Sequence, residues 1–174
     1  MLGQSHIQLY RLAHRLHQRG VPRLPDLLNG LNRRLNGIEI HPAAEIGDNL
    51  IIVHPVGIVI GGHCRIGRNV MINQGVSLGY RRGPVPGDGH PTVEDGVVIG
   101  AGAKVLGPIR IGTGAVVGAN AVVLQSVPPF ATAVGIPAKI LPRARPDDAP
   151  DWVDLLLAAS PDPAGAAPAG RPRE

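Results

Sequence analysis

Seven histidines, at positions 6, 14, 17, 41, 54, 63 and 90, are the side chains best suited to acid–base chemistry here, because imidazole titrates nearest neutrality. They form no clustered Cys/His or His/carboxylate spacing of the metal-ligand kind, so no metal is expected and a zinc-dependent hydratase is a minor alternative. His6, His14 and His17 fall in a helical pattern and are expected to be solvated, while His41 precedes Pro42 at a turn. His54 and His90 differ because each interrupts an otherwise periodic stretch. Taken alone, each reads equally well as a histidine satisfied within a turn. A general base needs a pKa near neutrality and a carboxylate that orients its ring. Glu39, upstream of His54, can supply that carboxylate. The single Cys64 cannot form an intrachain disulfide and is not needed as a nucleophile.

The scaffold that must position these groups is written in a six-residue repeat. Aliphatic residues recur at Val93, Ile99, Val105, Ile111, Val117 and Val123, beside a second ladder at Val97, Ala103, Ile109, Ala115, Ala121 and Val127. Glycine follows the first ladder at Gly100, Gly112 and Gly118. Two earlier stretches, Ile40–Ile46–Ile52–Ile58 and Ile60–Ile66–Ile72–Leu78, share the period but are out of phase with each other. Six fits neither a helix nor a half-buried strand; it fits a short strand, a turn and a return to the same inward direction. Three units make one triangular coil of about 18 residues, and stacking coils at about 4.8 Å pairs their backbones. The expectation is an all-β solenoid, a parallel β-helix of hexapeptide repeats with about five coils. Glu39 precedes His54 by slightly less than one such coil, so it should lie on the adjoining coil. A composition of 44% apolar but only 2% aromatic residues suits this narrow aliphatic interior, and the 24 glycines are then structural.

Ahead of the repeat, Leu9, Leu12, Ala13 and Leu16 form one apolar helical face, ended by Gly20 and Pro22. Leu24, Leu27, Leu28, Leu31 and Leu35 form another, closed by Gly37. The two helices should cap the first coil, whose open edge is otherwise a bare strand, and Arg11, Arg15 and Arg19 should line a solvated face. The repeat breaks near His54–Gly57 and again over Gly79–Thr92, and insertions in a solenoid map to loops that carry function. The organisation expected is a helical cap at 1–37, a β-helix at 38–140 and a partly disordered tail at 141–174, with one short helix over Asp151–Ala159.

Net charge is +4, but the segment after Ile140 holds four Arg against six acids, so the basicity lies in the body and suits an anionic ligand. Few aromatics and no Lys/Arg run argue against nucleic acid. No apolar stretch approaches the ~18 residues of a membrane span, and the N-terminus lacks a signal-peptide core, so no membrane association and a cytoplasmic location are expected.

The segments GIEIHPAAEIG (37–47), VHPVGIVIGG (53–62), INQGVSLG (72–79), GHPTVEDGVVIGAGAKVLGPI (89–109) and VGIPAKI (134–140) together resemble the serine acetyltransferase family of hexapeptide-repeat acyltransferases. The resemblance implies a left-handed β-helix, homotrimers with active sites between subunits, and acetyl-CoA as donor. It matches His54 to the family's catalytic base, Glu39 to its acidic partner and His90 to the second active-site histidine. Gly79, Gly100, Ala101, Ala119 and Lys139 match positions lining the CoA groove.

The family pattern has Asp before the catalytic histidine and Arg before the His-Pro pair, binding the amino acid's two charges; here these positions are Val53 and Gly89. Arg81 and Arg82 are extra loop cations that could meet an anionic acceptor. Three readings result: serine O-acetyltransferase of cysteine biosynthesis, an O-acetyltransferase of a sugar, polysaccharide or natural-product hydroxyl, or a non-catalytic trimeric scaffold. In either enzyme His54 takes the proton of a small-molecule hydroxyl acceptor as it attacks the thioester, and backbone N–H groups or His90 meet the oxyanion.

Overall fold

The computed structural model describes residues 5–81 and 89–142. Arg82 and the expected helix over Asp151–Ala159 lie outside the described residues. Two helices, α1 (Ser5–Gln18) and α2 (Leu24–Asn36), precede a parallel β-solenoid. The first coil is β1 (Ile38–Ile40), β2 (Glu45–Ile46) and β3 (Ile51–Val53); the second is β4 (Ile58–Ile60), β5 (Arg65–Ile66) and β6 (Met71–Asn73). The third is β7 (Ser77–Gly79), β8 (Thr92–Val93) and β9 (Val98–Ile99), and the fourth β10 (Lys104–Leu106), β11 (Arg110–Ile111) and β12 (Val116–Val117). An incomplete fifth coil holds β13 (Val122–Val123) and β14 (Thr132–Val134), after which β15 (Lys139–Leu141) returns antiparallel to β14.

Stacking these coils makes three faces: β1-β4-β7-β10-β13 (face one), β2-β5-β8-β11 (face two) and β3-β6-β9-β12-β14 with β15 at its end (face three). The aliphatic ladders point inward as the repeat requires. Ile60, Leu78, Val105 and Val123 stack in register on face one, and all are buried. The second-ladder residues Ala103, Ala115 and Ala121 are fully buried beside the corners, as are Val76 and Val97 at the matching places on the preceding coil.

The register explains both breaks in the repeat. Ile60 pairs with Leu78 and Val105 with Val123, each one three-unit coil further along, as expected. Ile38, however, pairs with Ile58, so the first coil is longer than three units, because the corner holding His54–Gly57 carries an extra pair of residues. Leu78 pairs with Val105, beyond the reach of an ordinary coil, because the excursion after Gly79 intervenes.

The helices do cap the first coil, but through polar groups. The β1 edge donates its Ile40 N–H to Asn29 Oδ1 at 3.2 Å, and Asn32, buried, donates to the His6 carbonyl at 3.0 Å. Tyr10 Oη donates to the Ala44 carbonyl at 2.7 Å, and burial pushes its hydroxyl up to about 12. The helix orientations therefore differ from the apolar stripes read in the sequence. α1 buries His6, Ile7, Tyr10 and Ala13 rather than Leu12, and α2 turns Asn29, Asn32 and Asn36 inward and leaves Leu27 and Leu35 each 68% exposed. The reason is that an open strand edge and a helix carbonyl must be hydrogen-bonded, which asparagine does and leucine cannot. His6 is likewise not solvated: it is 5% exposed, and burial lowers its pKa. His14 lies 2.8 Å from the Pro42 carbonyl, whereas His17 is exposed as expected.

Candidate active site

The three corners of the solenoid divide the candidate residues. The corner from face three to face one carries His54 on its first level. Below it stack Gly57, Gly75 and Gly102, at φ of 73°, 70° and 72°, ending on Asn120 at φ 57°. A Cβ on Gly57 would lie 3.6 Å from the Gly75 Cα, and one on Gly75 3.4 Å from the Gly102 Cα, so successive turns stack in contact. Gly100 and Ala101 belong to the same corner one level above Ala119: a Cβ on Gly100 would stand 2.6 Å from the Ala119 N, closer than any side chain allows. Lys139 begins β15 at the end of this column, next to Ala138, whose N–H reaches the Val122 carbonyl at 2.8 Å. The structure thus brings His54, Gly100, Ala101, Ala119 and Lys139 onto one edge, built around stacked glycine turns.

His54 itself is exposed and has φ 56°, a left-handed conformation that costs a non-glycine residue of order 1–3 kcal/mol and concentrates at functional positions. The Val56 N–H closes on its carbonyl at 2.8 Å, and the Gly57 N–H on the Gly37 carbonyl at 2.8 Å, so the turn that presents the imidazole is fixed at both ends.

Glu39 does lie on the coil adjoining the His54 turn, as the spacing indicates, but further along it. Because the first coil is the longer one, Glu39 lies opposite Val59, and its carboxylate is 3.5 Å from the Arg33 guanidinium. Both partners of that pair are solvent-exposed, so it holds the carboxylate only weakly.

His90 stands on a different corner, from face one to face two. Its imidazole rests on Gly61, where a Cβ would come within 2.5 Å of Cδ2, and it is flanked by the rings of His63 and Tyr80, each with its centroid 5.5 Å away. Gly79 ends β7 at this corner, and its carbonyl accepts the Gly107 N–H at 3.1 Å. Arg81 lies against Gly107 and donates from Nη1 to the Leu124 carbonyl at 3.3 Å, so it is anchored along the corner rather than aimed at His90. Gly61, His63 and Tyr80 are absent from the sequence reading of the site; only their position in register with His90 marks them. His41 keeps a turn role, accepting the Ala43 N–H at Nδ1 at 3.1 Å.

Within one chain His54 and His90 are not brought together. They flank opposite ends of β4, and the stretch from Gly57 to Gly61 spans about 13 Å of extended chain.

Elsewhere, Cys64 is fully buried with its Sγ toward the Leu78 carbonyl at 3.4 Å, and burial pushes its thiol up to about 12, which removes it as a nucleophile. A cavity of about 740 Å³ on face two lies away from both histidine corners. Its walls are structural ion pairs, Glu45–Arg65 at 3.3 Å and Asp95–Arg68 at 3.3 Å, together with Glu94, which pairs with Arg110 at 2.6 Å. The Arg110 guanidinium and the Thr113 hydroxyl and N–H hold the Glu94 carboxyl below its usual range. Among the described residues, no group of three or more His, Cys, Asp or Glu converges as a metal site, and no helix is long and apolar enough to cross a membrane.

Residues 90–125 match the bacterial transferase hexapeptide family (six repeats), and residues 57–81 match the hexapeptide repeat of succinyl-transferase. The solenoid and its six-residue period are those of hexapeptide-repeat proteins. Over 137 residues the chain is 49% identical to the serine acetyltransferase of Mycobacterium tuberculosis, covering 79% of this chain and 59% of that relative. It is also 49% identical over 136 residues to that of Helicobacter pylori, covering 78% and 79%. Soybean serine acetyltransferase complexed with serine superposes with a TM-score of 0.74 at 46% identity, covering 78% of this chain and 56% of that one. A serine acetyltransferase in complex with CoA gives 0.76 at 44% identity, covering 81% and 58%. The chain belongs to the serine acetyltransferase family. It spans about three-fifths of the length of several of these relatives, 59% of the Mycobacterium tuberculosis protein and 64% of the Bacillus subtilis one.

Proposed function

We propose that the chain is an acetyl-CoA-dependent O-acetyltransferase of a small hydroxyl compound, with serine as the acceptor its relatives' names indicate, working as a cytoplasmic homotrimer. The observation that carries this reading is the edge on which His54 heads a column of close-stacked glycine turns, with Ala101 and Ala119 on its lower levels. An extended pantetheine arm can lie along that column against Ala101 and Ala119, with Gly79 of a neighbouring copy across from it and Lys139 at its end to meet a phosphate. Bound acetyl-CoA supplies an activated carbonyl and a thiolate leaving group. His54 takes the acceptor's proton as its oxygen attacks the carbonyl carbon; the C–O bond forms, the C–S bond breaks, and the proton passes to the departing sulfur. Backbone N–H groups or His90 meet the oxyanion. Glu39, weakly held by Arg33, orients the His54 ring when it turns from that exposed pair.

Because His54 and His90 stand at opposite ends of β4, the complete site is assembled between copies, each setting its His90 corner against a neighbour's His54 corner. This is what makes the trimer part of the catalytic reading. The second reading, a sugar or natural-product hydroxyl, is favoured by Val53 and Gly89, which offer no partner for an ammonium and a carboxylate; an unpaired buried charge costs several kcal/mol.

The test is release of CoA thiol from acetyl-CoA with the full chain, across serine and neutral hydroxyl acceptors. Turnover is expected, and His54→Ala should lower kcat by about 10²–10⁴ while leaving CoA affinity by calorimetry unchanged. Light scattering should report three chains. Absence of turnover with every acceptor would leave only the scaffold reading.

A further inference from the structure

At the acceptor end of the candidate site a ring occupies space that a side chain at position 89 would need. Tyr80 follows β7 directly, and its ring lies across Gly89: a Cβ there would fall 2.2 Å from Tyr80 Cε2, 2.4 Å from Cδ2 and 3.0 Å from the Arg81 carbonyl. The Arg81 N–H donates to the Gly89 carbonyl at 2.8 Å, so the backbone at Arg81 is joined to that at Gly89 where the ring lies. Gly89 is buried beneath it. A side chain at 89 therefore requires the ring to leave this place.

The same ring faces His90, with centroids 5.5 Å apart and planes at 59°, yet it remains 60% exposed. In a chain with two tyrosines, the other, Tyr10, is buried and its hydroxyl is bonded to a backbone carbonyl. Tyr80 is the one that spends a large apolar face on solvent, beside a candidate catalytic histidine. Exposed aromatic faces with a polar rim suit ligands that are apolar on one side and hydroxylated at the edge. The ring face of a sugar, with C–H groups on its surface and hydroxyls around it, has that character. An amino acid's carboxylate does not, and Arg81, the cation next in the chain, is committed to the Leu124 carbonyl. Val53, beside His54, is equally without charge.

We propose that Tyr80, seated on the side-chain-free Gly89, is the specificity-determining residue of the acceptor end, and that it selects a neutral carbohydrate hydroxyl over zwitterionic serine. The proposal rests on the acetyl-transfer reading and decides between its two acceptors. The transfer itself is unchanged: the acetyl carbon leaves sulfur for the sugar oxygen, and the hydroxyl proton ends on the CoA thiol.

The experiment compares kcat/KM for L-serine with that for a panel of neutral monosaccharides and their methyl glycosides, by CoA thiol release from the full chain. At least one sugar should exceed serine by about tenfold. Tyr80→Ala should lose about tenfold or more on that sugar with the KM for acetyl-CoA unmoved, and Tyr80→Phe, which keeps the ring, should retain it. A variant combining Tyr80→Gly, Gly89→Arg and Val53→Asp should shift the ratio toward serine. Wild-type preference for serine would overturn the proposal, as would a sugar-to-serine ratio that Tyr80→Ala changes by less than about twofold. Either result leaves acetyl transfer standing. No turnover with any acceptor, although CoA binds, would overturn acetyl transfer and this proposal with it.

Discussion

Gly61→Ala tests where His90 must stand without removing any titratable group. A Cβ at position 61 would lie 2.5 Å from His90 Cδ2 and 2.6 Å from Nε2, whereas carbon atoms in contact settle at about 3.5–4 Å, so something must retreat by about 1 Å. The imidazole is the far end of a side chain and yields more readily than the Leu78 carbonyl, 3.3 Å from the same point. Position 61 is not among the glycines with positive φ, so alanine suits the backbone and stiffens the unfolded chain, an effect worth about 0.4–1 kcal/mol that offsets the crowding. Stability should therefore change by no more than about 1 kcal/mol, while a displacement of about 1 Å in a reacting group costs about 10²-fold in rate. The assay is kcat by thiol release with the best acceptor, alongside a thermal melt and a CoA titration. Full kcat in Gly61→Ala would refute a positional role for His90. A collapse in melting temperature would refute the premise that the ring, rather than the backbone, absorbs the clash.

Gly102→Ala should behave in the opposite way. It forces a side chain to φ +72° with its Cβ 2.1 Å from Asn120 Oδ1, and should lower stability by about 1–3 kcal/mol in denaturant unfolding. Adding Asn120→Gly should recover the crowding but not the dihedral part. The fold should also lose stability in acid. Glu94 is held below 4.5 by Arg110 and Thr113, so the unfolded chain binds more protons; its contribution is complete above about pH 4.5 and disappears as pH falls through the lower folded value. Melts from about pH 6 to about pH 3 should show this decline, and Glu94→Gln should flatten it.

The six-residue ladder carries most of the architecture, because each buried aliphatic position is set by the same closing turn; Val93 through Val123 need no context beyond their spacing. Departures arise wherever a residue's place depends on hydrogen bonds or on coil length. The leucines of α2 read as a core face by hydropathy, but the unpaired edge of β1 claims the asparagine side of that helix. On a regular coil Glu39 would stand opposite Gly57, three residues from His54, whereas the enlarged corner of the real one moves Val59 into that place. His54 and His90 are legible as breaks in the period. The seat under His90 is not, because Gly61 is an ordinary repeat glycine until the register lays His90 over it, and Tyr80 over Gly89 is visible only once the excursion is closed.

The corners that bear the two histidines tolerate change very differently. Along the His54 edge the glycine turns stack at van der Waals contact, so an added methyl is not absorbed there, and the extra pair of residues at His54–Gly57 is confined to the first level, above the stack. At the His90 edge, a whole excursion leaves the ladder and returns with the rungs on either side intact, the Gly107 N–H still on the Gly79 carbonyl at 3.1 Å and the Arg65 N–H on the Pro91 carbonyl at 3.2 Å. Evolution in this scaffold thus finds the His54 edge fixed below its first level and the His90 edge editable. On the proposed acetyl-transfer reading, a lineage can change the acceptor by rewriting a single loop, while the stacked column that would present the donor is inherited unaltered.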